Sequence, residues 1–204
     1  MIADPLSLAE ASIVTGLKEK AIRKAIENDV VRASRAAAGP FAGRLSVPLR
    51  ELVALRLEKD LAPVQLETRR KMIREITARG LKGDFRRDPD GSLTVDIALA
   101  RSKVANGLWR LRAARSIAVT DPGIMNGQAV FRGTRIPVHV IAAMIEAGEA
   151  IAAIQAAYPG LSRKQIELAP VYARSHPLRG RPARQPWHAG GPTRVRRIRI
   201  DDVA

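Results

Sequence analysis

Apolar residues in this chain recur three and four positions apart, and that spacing constrains the fold more than any other feature. Ala, Leu, Ile and Val supply most of them, while aromatics make up 3% of the residues. Side chains at every third or fourth position share one face of a helix, and a broad sheet-on-sheet core would need more bulky rings than these. With 204 residues and 46% apolar content, the chain can build one large or two small cores and is not disordered throughout. The expected class is therefore mainly α with short β-hairpins.

Residue types exclude several chemistries. There is no cysteine, which removes disulfides, thiolate nucleophiles and sulfur-ligated zinc together. His139, His176 and His188 are too scattered to define a metal site by spacing. No Ser-His-Asp arrangement, phosphate-cradling glycine loop or carboxylate cluster stands in any one motif. The expectation is a protein that is not an enzyme and uses no metal or cofactor. No run approaches the roughly 18 apolar residues of a membrane span, and the N-terminus lacks the basic-then-apolar layout of a signal peptide. A cytoplasmic location without a membrane partner is expected.

The formal charge is +15 and the isoelectric point about 11.3, which calls for a polyanionic or acidic partner. The excess is uneven. It is +2 over residues 1–60, +7 over 61–116, +1 over 117–176 and +5 over 177–204. These four segments also differ in pattern, and they are the expected domain organisation.

In the first segment, Ser7-Leu8-Ala9-Glu10 reads as a capping box. A helix should run from there through Ile13 and Val14, stop at Gly16, and give way to a second helix starting near Lys18 and passing through Ile22, Ala25 and Ile26. Two short helices around a tight glycine turn read as helix-turn-helix. Val30-Val31-Arg32 and Arg44-Leu45-Ser46-Val47 would form two short strands around a small-residue loop, and a third helix should span Pro48 to Lys59. Lys18, Lys20, Arg23 and Lys24 on the second helix, with Arg32, Arg35 and Arg44 near the strands, are the candidate DNA contacts. An ordinary solvated helix face is the alternative, and Glu19, Glu27 and Asp29 would have to be kept off the phosphates. The order helix, turn, helix, wing, helix resembles the winged-helix N-terminal domain of the MerR and excisionase type.

Residues 61–116 predict a helix over 63–79 that carries Arg69-Arg70-Lys71 and ends at Gly80. A strand pair around Asp88-Pro89-Asp90-Gly91 should follow, then a helix bearing Val104, Leu108 and Leu111. The segment reads as a connector, for dimerisation or for joining domains.

The third segment contains Thr120-Asp121-Pro122-Gly123-Ile124-Met125-Asn126-Gly127-Gln128-Ala129-Val130-Phe131-Arg132-Gly133-Thr134-Arg135-Ile136-Pro137-Val138. Gly133 permits a turn conformation closed to other residues, Thr134 can offer its hydroxyl to helix-start amides, and Pro137 suits a first helical turn. Arg132 and Arg135 could bind phosphate but are expected to pair with nearby carboxylates such as Asp121, and His139 should pack partly buried rather than act as a ligand. Three helices should follow. Ile136, Val140, Ile141, Met144 and Ile145 form the inner face of the first, Ile151 and Ile154 mark the second, and Ser162 with Gln165 opens the third, which Pro170 should bend or break. This stretch resembles the R-G-T-R-I-P signature of a small antitoxin domain family long filed as a domain of unknown function, with Ala129 in place of the usual Pro and Asn126 in place of the usual Gly. The resemblance covers residues 117 to about 176.

From residue 177 prolines and glycines alternate with arginines, a composition unable to bury enough apolar surface to fold alone. Arg179, Arg181, Arg184, Arg194, Arg196 and Arg197, with Trp187 and His188, are the candidate contacts to an acidic protein groove. A basic tail that merely aids solubility is the alternative. The whole arrangement resembles a VapB-type antitoxin. That resemblance implies a homodimer that represses its own operon by binding operator DNA and forms a higher complex with a VapC-like toxin of the PIN fold. A stand-alone DNA-binding regulator or excisionase-like factor is the rival, and a nuclease is disfavoured by the scarcity of carboxylates.

Overall fold

The computed structural model describes residues 5–35, 45–81, 85–87 and 94–178. It is mainly helical, with eight α-helices and three small antiparallel strand groups among the described residues, the class that helical spacing and scarce aromatics imply.

Strand β1 (Leu6–Ser7) leads straight into α1 (Leu8–Thr15). The Ser7 hydroxyl accepts from the Glu10 N–H at 3.2 Å while the Glu10 carboxylate accepts from the Ser7 N–H at 3.0 Å, the reciprocal capping expected of Ser-x-x-Glu. Gly16 then turns the chain at φ +69°, which a residue with a Cβ resists. Helix α2 (Glu19–Glu27) follows, then β2 (Ser34–Arg35), β3 (Leu45–Val47), a short 3-10 turn and α3 (Leu52–Asp60). Strand β3 is central, pairing Val47 with Leu6 on one side and Ser46 with Ser34 on the other.

The β2–β3 pair departs at its start from the strands expected of a wing. Its first strand is Ser34–Arg35 rather than Val30–Arg32, because Val30 and Val31 are both buried in the core. Adjacent strand residues point to opposite faces, so two successive buried valines belong to a packed turn and not to an exposed hairpin. Asp29, at φ 52°, makes that turn. Residues 36–44, Arg44 among them, lie outside the described residues.

Helix α4 (Leu66–Ala78) precedes β4 (Phe85–Arg87), which pairs with β5 (Thr94–Asp96), and Asp96 caps the long helix α5 (Ile97–Ile117) by accepting from Leu99 N–H at 2.6 Å. The tip of the strand pair, Asp88 to Gly91, lies outside the described residues. Met72, Ile73, Ile76, Val95, Ile97 and Val104 share one core with Leu6, Ile22, Leu52 and Leu55. Residues 61–111 thus complete the first core, and α5 carries the chain onward into a second.

That second core gathers β6 (Ala118–Thr120), β7 (Ala129–Phe131), α6 (Val138–Glu146), α7 (Ile151–Ala157) and α8 (Arg163–Ser175) around Phe131, Ile141, Ile154, Ile166 and Tyr172. Ser162 and Gln165 form the expected second capping box. The inner face of α6 is Val138, Ile141 and Ala142, with Ile145 half-buried, whereas Val140 is 43% exposed. Val140 faces outward because α6 starts at Val138, so the expected inner face, counted from Ile136 before the helix, is out of phase there. Helix α8 continues through Pro170 to Ser175 without a break, because Leu168, Ala169, Val171 and Tyr172 are all buried around the proline and this packing offsets one missing N–H bond. None of the described helices is long and apolar enough to cross a membrane.

Gly107 sets how closely α5 crosses α1. A Cβ built there would stand 2.4 Å from the carbonyl oxygen of Val14, which is backbone and cannot swing aside. Gly107→Ala should therefore destabilise the fold by about 2 kcal/mol, although alanine is the better helix former. Asn106→Ala, on the exposed side of the same turn, should leave the thermal midpoint unchanged or raise it.

Candidate nucleic-acid interface

Ile22 and Ala25 bury one side of α2. At 100° per residue the opposite side carries Lys20, Arg23 and Lys24, and all three are exposed, as is Lys18 at the N-cap. Lys18, Lys20 and Arg23 make no ion pair among the described residues. Glu27 shares the face at its C-terminal end. The structure thus brings together the four α2 cations expected from the sequence. Arg35 is exposed on β2. Arg32 lies elsewhere, in a groove lined by Arg50, Arg74, Asp29 and Glu51, and its N–H donates to Glu51 at 3.3 Å.

Two arginines of the basic run on α4, and Arg74 one turn on, are structural, while Lys71 is exposed. Arg69 lies 2.8 Å from Glu58 and donates to the Ala62 carbonyl at 3.2 Å, so it closes the α3–α4 turn. Arg70 donates to the Asn28 carbonyl at 2.5 Å, and Arg74 reaches Asp29 at 2.7 Å. These three arginines bind α4 to the end of α2 and to α3. Burial raises the Glu58 carboxyl above its ordinary value, opposed by the charges of Arg69 and then Lys24.

Sequence reasoning missed a polar network between the two cores. Glu10, 1% exposed, uses one carboxylate oxygen in its capping box and turns the other to Arg115 of α5, with His176 Nε2 at 3.6 Å. Tyr172 stacks on His176 with ring centres 4.5 Å apart, and His139 donates from Nε2 to the His176 carbonyl at 2.9 Å. His139 is therefore the half-buried packing histidine expected. The Ser175 hydroxyl, committed to the Tyr172 carbonyl, accepts from His176 Nδ1 at 2.8 Å, so the neutral ring turns an unprotonated Nε2 toward Glu10. Burial lowers the His176 pKa first, Glu10 opposes that, and Arg115 adds to it. Burial likewise raises Tyr172, against a hydrogen bond from Thr120. The one local sequence signal was Glu10, whose capping role is complete without its distant partners.

The Arg132–Pro137 corner is a tight turn after β7. Gly133 sits at φ +78°. The Thr134 hydroxyl donates to the Phe131 carbonyl at 2.9 Å and accepts from Ile136 N–H at 3.1 Å, so it closes the turn and does not cap the helix. Pro137 is extended, at ψ 132°, and bridges Val130 as the residue before α6 rather than within its first turn. Arg132 donates to the Ser116 carbonyl at 3.3 Å, covering the end of α5, while Asp121 accepts from Gly123 N–H at 2.8 Å. The expected Arg132–Asp121 pair is absent because each group finds a nearer backbone partner. Arg135 is exposed. Asn126 is left-handed, at φ 54°, a conformation that asparagine and glycine both tolerate. Arg179, Arg181, Arg184, Trp187, His188, Arg194, Arg196 and Arg197 lie outside the described residues, and no group of three His, Asp or Glu able to hold a metal occurs among those described.

The described fold is a mainly helical, two-core arrangement joined through α5, with a cationic helix exposed on the first core. Residues 119–173 match the family described as "Protein of unknown function (DUF433)", inside the segment singled out by the R-G-T-R-I-P motif. "Uncharacterized protein y4eO" of Sinorhizobium fredii (strain NBRC 101917 / NGR234) is 40% identical over 89 residues, which are 44% of this chain and 40% of that protein. The chain thus spans well under half the length of that relative. The X-ray crystal structure of Rv2018 from Mycobacterium tuberculosis is similar with a TM-score of 0.34 at 15% identity, covering 82% of this chain and 98% of that one.

Two measurements test the network. Glu10→Gln can keep the capping box but leaves Arg115 partly buried without its counter-charge, which should cost about 2 kcal/mol in chemical denaturation. Because His176 titrates lower in the folded chain than its ordinary value, the unfolded chain binds the extra proton more readily. Stability should therefore be level above about pH 6.5 and fall as pH drops toward 5. His176→Gln should flatten that decline while Glu10, Arg115, His139 and Tyr172 stay in place.

Proposed function

We propose that this chain is a DNA-binding antitoxin. It represses its own promoter through α2 and neutralises a PIN-fold, VapC-like ribonuclease in the cytoplasm, acting as a dimer on a two-fold operator. One observation carries the DNA half of this reading. Lys18, Lys20, Arg23 and Lys24 are exposed together on a helix whose other side is anchored in the core by Ile22 and Ala25. A rigid cationic helix after a tight turn is the element that enters the major groove in helix-turn-helix proteins, and a net charge of +15 favours phosphate by counterion release. The toxin half is supported by the R-G-T-R-I-P segment and by the arginine-rich stretch 177–204, whose cations could compete for the carboxylates of a metal-dependent nuclease.

Replacing Lys20, Arg23 and Lys24 together by alanine should lower affinity for DNA upstream of the reading frame and reduce the slope of log affinity against log salt by about 3. An unchanged slope in anisotropy titrations means that α2 is not the reader. Co-expression with the product of the adjacent gene tests the second half. The full chain should abolish the toxicity of that product, and a chain ending at His176 should not. Retained repression without neutralisation by the full chain leaves a stand-alone regulator.

A further inference from the structure

Two adjoining grooves meet where α5, having crossed α1 near the turn into α2, runs beside α8. The first is lined by Lys18, Glu19, Arg110 and Arg174, and the second by Trp109, Arg110, Arg163, Lys164 and Glu167. Arg110 belongs to both, so they form one continuous track. Its carboxylates are few, and Glu167 is already held by Arg163 at 2.8 Å. Lys18 and Arg110 have no ion pair among the described residues, and Arg174 donates from Nε to the Pro170 carbonyl at 3.1 Å. Lys164 Nζ lies 5.6 Å from the ring centre of Trp109, and that indole is 61% exposed.

Trp109 beside Lys164 gives the track an exposed aromatic face next to a cation, a surface on which a sugar or base can pack. The cations are arranged in a line. Arg163 and Arg174 are eleven residues apart on α8, roughly 16 Å along its axis, while one DNA strand presents a charge about every 3.4 Å of duplex axis. The track is therefore long enough to span several successive phosphates, and it begins at Lys18, the residue that opens α2.

We propose that this track is a second nucleic-acid surface that holds the sugar-phosphate backbone of the duplex read by α2. The inference rests on the DNA reading of α2 and extends it to the second core. Phosphate contacts position a protein without reading sequence, so the track sets register and affinity while α2 meets the bases.

The test uses the full chain carrying Arg110→Gln, Lys164→Gln and Arg174→Gln, none of which removes an ion pair or a core residue. Titrated with operator and scrambled duplexes between about 50 and 200 mM salt, the variant should lose affinity equally for both, with the salt slope lower by about 3. In a Trp187→Phe chain, where Trp109 is the remaining tryptophan, its emission should change on adding duplex and not on adding polyglutamate. An unchanged slope while the α2 triple variant loses binding overturns the track alone. Loss in the track variant while the α2 variant binds normally overturns the reading of α2 and with it the proposal that the two surfaces share one duplex. A tryptophan response to polyglutamate but not to duplex assigns the groove to an acidic protein and overturns the proposal.

Discussion

The relation between the two cores depends on the Glu10 carboxylate. One oxygen closes the start of α1 and the other meets Arg115 from α5 and His176 at the end of α8. A buried charge is costly unless paired and hydrogen-bonded, so Glu10 depends on the start of α1 and on Arg115 of α5, and His176 brings the end of α8 against that pair. Gly107 makes the convergence possible by letting α5 approach the Val14 backbone. The junction therefore combines a close backbone crossing with an ionic contact that tolerates little sliding.

That rigidity separates the chain's positive charge into two populations. Arg69, Arg70, Arg74, Arg115 and Arg132 are engaged by the chain's own carbonyls and carboxylates, Arg69 and Arg115 partly buried and Arg74 and Arg132 at the surface, where they close turns and join helices. Lys18, Lys20, Arg23, Arg110 and Lys164 are exposed and remain available to a polyanion. Segment balances alone would have assigned the main electrostatic role to residues 61–116, yet much of the α4 charge is internal bracing. The exposed cations of α2, which sits in a segment of small net charge, carry the functional argument.

Local rules account for what was legible in the sequence. Ser7 with Glu10, Ser162 with Gln165, Gly16 and Gly133 each act within four residues, so their patterns predicted caps and turns that the structure contains. Where the outcome depended on distant packing, the same rules failed. Val30 and Val31 have strand-forming side chains, but the core claims both. Pro137 suits a helix start, but the bridge to Val130 draws it into extended backbone. The α2 cations were visible because a single helix presents them, whereas the α5–α8 track takes its residues from three helices that together span more than a hundred positions of sequence and has no local pattern.

A single helix carries the geometric consequence. On α5, Ile97 to Leu111 pack in one core and Ala114 and Ile117 in the other, and Trp109 and Arg110 emerge just before the chain passes from the first to the second. With α1 and α8 packed against the same helix, the exposed cations of α2 and those of α8 are held in a fixed relation. An anion contacting both surfaces does not have to order a hinge first, so less conformational entropy is lost on binding. The same junction that stabilises the fold thereby preorganises its cationic face.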